Sequence, residues 1–123
     1  MVKGMKQDEV REHRIAMEAV VDAYDEIERA MGWYYYIQDE VKFPFKARCI
    51  SKRSTSPLKV GQEVVVVGQP GEDDCLSEVL VTVEFGGSTL AVPLAQLECL
   101  AEDKGTQQAV ADWHYWVARG YGY

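Results

Sequence analysis

Soft metal ligands are scarce in this chain. It has two histidines and three cysteines, and no cysteine lies within four residues of another cysteine or of a histidine. Zinc sites need such close pairs, so a zinc centre is excluded at the level of local motifs. The zincin signature His-Glu-x-x-His is absent around both His13 and His114. No Gly-x-Ser-x-Gly elbow occurs, and Gly86-Gly87 lacks the Gly-Lys-Ser/Thr that grips phosphate. The twelve-residue EF-hand loop is missing too. No apolar run approaches the roughly 20 residues that span a bilayer. The opening residues, Met-Val-Lys-Gly-Met-Lys-Gln, lack the apolar stretch of a secretory signal, and the first half-dozen read as a loose end. Three widely spaced cysteines, Cys49, Cys75 and Cys99, without such a signal point to a reducing, cytoplasmic setting.

A basic excess is also lacking. The net charge is −7, which argues against nucleic acid as a partner, because that affinity comes from Lys and Arg neutralising phosphates. The charge is uneven. Residues 1–40 carry ten acids and five bases, residues 41–68 one acid and six bases, and residues 69–123 nine acids and two bases. A basic stripe of Lys46, Arg48, Lys52, Arg53 and Lys59 therefore lies between acidic segments.

What is present is the material for one domain over residues 1–123, with 47% hydrophobic residues. Helical spacing of Val10, Met17, Val21, Tyr24, Glu28 and Met31, widened by Val20 and Ile27, predicts a helix over residues 8–31, with Gly32 as its C-terminal cap. Residues 33–40 read as a short second helix or an aromatic bend, closing a helical region 8–40. From Lys42 to Ser51, Phe43, Phe45, Ala47 and Cys49 alternate with polar residues, as in a half-buried strand. Residues 62–68 suit a central strand, and Val79, Val81, Val83 and Phe85 share a face of the next. Gly86-Gly87 makes a hairpin into Thr89–Leu94, where Pro93 marks an edge or an end. Short strands over residues 42–95 joined by short turns predict a small antiparallel SH3-like barrel. Thr106–Arg119 reads as a C-terminal helix capped by Thr106, with His114 a packed histidine between aromatics. The fold class is α+β: the barrel packed with an N-terminal and a C-terminal helix.

The chemistry-bearing candidates are acids. Calcium takes six to eight oxygens, chiefly carboxylates, carbonyls and water. Asp39 and Glu40 sit beside a bend where helix-terminal carbonyls are free. Glu72, Asp73, Asp74 and Glu78 crowd a loop between strands, where like charges repel unless they are solvated or hold a cation. If residues 33–40 are helical, Tyr35 and Tyr36 lie one turn before Asp39 and Glu40.

Four stretches sharpen this: Val20–Tyr36 (VVDAYDEIERAMGWYYY), Lys42–Gly61 (KFPFKARCISKRSTSPLKVG), Ala91–Leu97 (AVPLAQL) and Ala111–Gly120 (ADWHYWVARG). In this order they resemble the cyanobacterial calcium-binding protein family of the CcbP type. The resemblance implies calcium bound by acidic residues on a non-EF-hand fold, and a role in sequestering the ion. It implies that Asp39, the aspartate between the aromatic run and Lys-Phe-Pro-Phe, is the important ligand. The expectation is a calcium buffer rather than an enzyme, with Asp39, Glu40, Glu72, Asp73, Asp74 and Glu78 as metal candidates. The alternative is an SH3-like module that holds a protein or nucleic acid on its basic stripe.

Overall fold

The computed structural model describes residues 7–121 and 123; the expected loose end at residues 1–6 lies outside them. The chain runs through α1 (Glu9–Arg14), a π-turn (Ile15–Ala19) and α2 (Glu26–Glu40). It continues as β1 (Phe45–Cys49), β2 (Glu63–Gly68), β3 (Leu80–Phe85), β4 (Ser88–Pro93), β5 (Leu97–Cys99) and α3 (Lys104–Ala118).

The sheet is antiparallel throughout its pairings, in the order β4-β3-β2-β1-β5. A 3₁₀ turn (Leu94–Gln96) joins β4 to β5. This is the SH3-like order, α+β as expected. The predicted barrel segment ended at residue 95, whereas β5 carries the sheet on to Cys99. β2 is the central strand, which explains its unbroken Val64–Val67 run: Val64 and Val66 are buried and Val65 and Val67 half-buried. Phe45, Ala47 and Cys49 of β1 and Val81 and Val83 of β3 point into the same core. β4 is an edge strand and Pro93 its last residue, where a missing N–H costs least.

The N-terminal helix differs from its prediction. The 3.6-residue stripe runs unbroken to Met31 in sequence, but the backbone widens into the π-turn, and Asp22 then takes a left-handed conformation, φ 57°. The π-turn shifts the phase, so Ile15 and Ala19 face the core while Val10, Met17, Val21 and Tyr24 face outward. Asp25 restarts the helix by accepting a hydrogen bond from the Glu28 amide at 2.8 Å. Residues 33–40 are therefore the second half of one helix, with Trp33, Tyr36 and Ile37 buried. Gly32, expected as a cap, sits mid-helix. A Cβ there would lie 2.1 Å from the Ala19 carbonyl oxygen, so glycine is what lets α2 cross the π-turn.

Asp103, not Thr106, caps α3; it accepts from the Thr106 amide at 2.9 Å. That hydrogen bond, helped by Lys42, holds the Asp103 carboxyl below its usual pKa. Thr106 accepts from the Lys42 amide instead, tying the end of α2 to the start of α3.

The helices are locked together by one buried acid. Asp112 is fully buried. Its carboxylate accepts from Arg11 Nη1 (2.6 Å), Arg14 Nη2 (2.6 Å) and Nε (3.0 Å), and the Tyr36 hydroxyl (2.6 Å). Burial and the hydrogen bond to Asp112 push the Tyr36 hydroxyl well above the ordinary tyrosine range.

Candidate calcium site

The aromatic run on α2 docks onto the acidic loop after β2. The β2–β3 register shifts between Val66 and Gly68, a bulge that bends the strand where it leaves the sheet. Gln69 then donates through Nε2 to the Tyr34 carbonyl at 3.1 Å, and the Tyr34 hydroxyl donates to the Pro70 carbonyl at 2.9 Å. These reciprocal bonds clamp the loop to the helix. Beyond them Glu72–Cys75 forms a single 3₁₀ turn. Its buried Cys75 anchors the turn, while Asp73 and Asp74 are exposed and Glu72 half-buried.

The Tyr35 hydroxyl donates to Glu72 Oε2 across this junction. Losing that proton would end the bond and place a second negative charge beside Glu72, so this hydrogen bond holds Tyr35 above its usual pKa. Burial does the same for Tyr34, with smaller effects from Cys75 and Glu72. Tyr35 is four residues before Asp39, so the two share a face of α2. The exposed Asp39 thus stands one turn along from the tyrosine that holds Glu72. Glu40 ends the helix. Its carbonyl would lie 3.2 Å from a Cβ at position 105, so Gly105 lets the first turn of α3 approach it.

The other candidates stand differently. Glu78 pairs with Arg53 at 2.7 Å, so its charge is already matched. Among the described residues, no three His, Cys, Asp or Glu side chains are gathered closely enough to hold an ion. The donors at the junction are all hard oxygens, the type calcium takes, and carbonyls and water would fill most of the coordination sphere. The donor type is that of calcium chemistry, though the described residues form no cluster of it.

A cleft of about 490 Å³ lies elsewhere, between α1, α3 and β5, lined in part by Arg11, Ile50, Cys99 and His114. Its acids are engaged: Asp8 caps α1 and Glu98 pairs with Arg48 at 3.1 Å. His114 is half-buried, with Nε2 2.5 Å from the Leu97 carbonyl oxygen. The basic stripe is likewise partly spent internally, since Arg48 bonds Glu63 and Glu98 and Arg53 bonds Glu78.

A family model of CcbP-type proteins, described as calcium binding, matches residues 13–117. The chain belongs to the CcbP-type calcium-binding family. A solved structure of Anabaena CcbP is 41% identical, covers 99% of this chain and 100% of its own, and superposes with a TM-score of 0.86. A structure described as a calcium-binding protein in the calcium-binding form is 42% identical, covers 95% of this chain and 96% of its own, and has a TM-score of 0.83. No curated protein matches the chain.

In this CcbP-type protein the sequence shows the acids but not the contacts that set α2 against the loop. The clamp of Tyr34 on Gln69-Pro70 and the Tyr35–Glu72 bond set α2 against the loop. The signal was the unbroken Trp-Tyr-Tyr-Tyr run: on one helix, Trp33 and Tyr36 take the core and leave Tyr34 and Tyr35 for a second surface.

Proposed function

We propose that the protein binds calcium at the junction of α2 and the Glu72–Cys75 turn and serves as a cytoplasmic buffer rather than an enzyme. Membership of a calcium-binding family over residues 13–117 supports the ion. The Tyr35–Glu72 bond, one turn from Asp39, supports the place. Asp39 and Glu72 supply the central carboxylates; Glu40, Asp73 and Asp74 add negative field and outer contacts. Glu78 is peripheral, because binding there must first displace Arg53. Catalysis has little to work with: burial raises the Cys75 and Cys99 thiols, disfavouring the nucleophilic thiolate.

Few charges on an exposed turn give dissociation constants of roughly 10⁻⁶ to 10⁻³ M. Calorimetric titration with calcium, repeated with magnesium, tests this. Asp39→Asn and Glu72→Gln should each weaken binding about tenfold or more, since the amide cannot offset the cost of dehydrating the cation. As an exposed polar change, Asp39→Asn should alter stability by less than about 0.5 kcal/mol; Glu72 is half-buried and holds Tyr35, so the melting temperature of Glu72→Gln is read beside its affinity. Absence of both heat and amide shifts at several millimolar calcium would refute the reading. Parent-like affinity in both variants would move the site elsewhere.

A buffer also responds locally. Calcium at a hundredfold excess over the dissociation constant should stabilise the fold by about 2.7 kcal/mol. Protection from amide exchange should rise only over residues 69–78 and the last turn of α2. A sensor must instead expose an apolar groove. A large calcium-dependent gain in ANS fluorescence would therefore mark a sensor and overturn the buffer assignment.

A further inference from the structure

The turn between the π-turn and α2 carries a surface unlike the rest of the molecule. Met17, Val21, Tyr24 and Ile27 are 58%, 51%, 83% and 63% exposed. Interleaved with them are Glu18, Asp22, Asp25, Glu26 and Glu28, all exposed, and residues 17–28 contain no Lys or Arg. Among the described residues, the Asp25 and Glu28 side chains accept from nearby amides, those of Glu28 and Tyr24. Among the described residues none of the five acids enters an ion pair. The nearest arginine, Arg29, turns away and donates to the Tyr123 carbonyl at 2.6 Å. Four large apolar side chains and five unneutralised carboxylates thus share twelve residues.

Large apolar side chains exposed this densely along the chain, with charge around them, mark an interaction site. We propose that this face docks a basic amphipathic segment of another protein, a helix with apolar residues on one side and Lys or Arg flanking them. The charge decides among occupants. A second copy meeting this face with its own would oppose five acids to five acids, which repel. An anionic lipid surface is repelled for the same reason, and nucleic acid likewise. A cationic apolar helix satisfies both features: its apolar side covers Met17, Val21, Tyr24 and Ile27, and its bases reach the flanking acids. The surface is built in, since the π-turn and left-handed Asp22 turn these side chains outward.

The test uses the full chain in EDTA and a fluorescein-labelled 18-residue Leu/Lys peptide with leucines at helical i, i+3, i+4, i+7 spacing. Controls are the same peptide with Glu for Lys, and one with its leucines scattered off a single face. Anisotropy should report saturable binding of the first peptide only, weakening as salt rises. Amide shifts should centre on residues 17–28. The triple variant Met17→Ser, Tyr24→Ser, Ile27→Ser should bind at least tenfold more weakly. The variant Glu18→Gln, Glu26→Gln should lose affinity and flatten the salt dependence. Retained melting temperatures confirm that both variants fold. Equal binding by the triple variant, or shifts centred on residues 72–78, overturns the proposal. So does self-association abolished by the triple variant, which assigns the face to a second copy, or binding of phosphatidylglycerol vesicles, which assigns it to a membrane.

Discussion

Asp112→Ala should lower the thermal midpoint by about 10–20 °C. Removing one partner of a buried ionic cluster costs roughly 3–5 kcal/mol, because the remaining charges keep their desolvation penalty without their counterpart. The Arg11 and Arg14 side chains are 27% and 18% exposed and can recover some water, so the lower end, about 3 kcal/mol, is expected. Each kcal/mol corresponds to about 4 °C or somewhat more for a domain of this size. The Tyr36 hydroxyl, itself buried, also loses its acceptor. The double change Asp112→Leu with Arg14→Met separates the net value of the cluster from the cost of breaking it. If the penalty comes from stranded charge, the double variant should recover much of the stability lost in Asp112→Ala. Thermal denaturation followed by circular dichroism reads all three proteins. A midpoint within 3 °C of the parent for Asp112→Ala would show that the guanidiniums rehydrate freely and that the cluster does not hold α1 to α3.

Gly32→Ala should destabilise the fold although it improves helix propensity. Alanine in a helix interior is favoured over glycine by about 1 kcal/mol. Against this, the new Cβ would lie 2.1 Å from the Ala19 carbonyl oxygen, a backbone atom that moves only if the π-turn moves. Forced overpacking typically costs 1–3 kcal/mol and sometimes more. Contact at this distance belongs at the upper end, so a net loss of about 2 kcal/mol is expected. Gly68→Ala is the control, since a Cβ there meets nothing within 4 Å. Denaturant midpoints with unchanged slopes give the comparison. Stabilisation by Gly32→Ala would mean that propensity wins and the helix crossing is loose.

The sheet was readable because its rules are local. Alternation in Phe45-Lys-Ala-Arg-Cys49, the valine run of β2 and the Gly86-Gly87 turn each follow from near neighbours, and the order of β1 to β4 follows from antiparallel links; β5, which pairs with the distant β1, was not read. The helical layer was harder because its decisive contacts are distant. The apolar period from Val10 to Met31 cannot disclose a π-turn, since the residues that change phase look the same in either geometry. Gly32 looked like a cap because the carbonyl that requires it belongs to Ala19, in another segment. Asp112 could have been noticed as a lone acid beside Val110 and Trp113 on an apolar face, with Arg11 and Arg14 one turn apart on a different helix. For the calcium candidates, sequence supplied a set of acids. It could not show that Glu72 is held by Tyr35 while Glu78 is taken by Arg53.

The bonds of the N-terminal helical segment have an unusual span. The Asp8 amide donates to the Tyr115 hydroxyl, and Glu12 accepts from both Tyr115 and Tyr121. With Arg11 and Arg14 on Asp112 and Arg29 on the Tyr123 carbonyl, residues 8–29 find these partners at residues 112–123. During synthesis residues 8–29 must therefore wait for residues 112–123. The sheet of residues 45–99 can assemble first, as its pairings are shorter in range, while α1 gains its partners only once α3 has left the ribosome. A nascent chain stalled before residue 112 would leave Arg11 and Arg14 without Asp112, which makes the emergence of α3 the moment at which this fold closes.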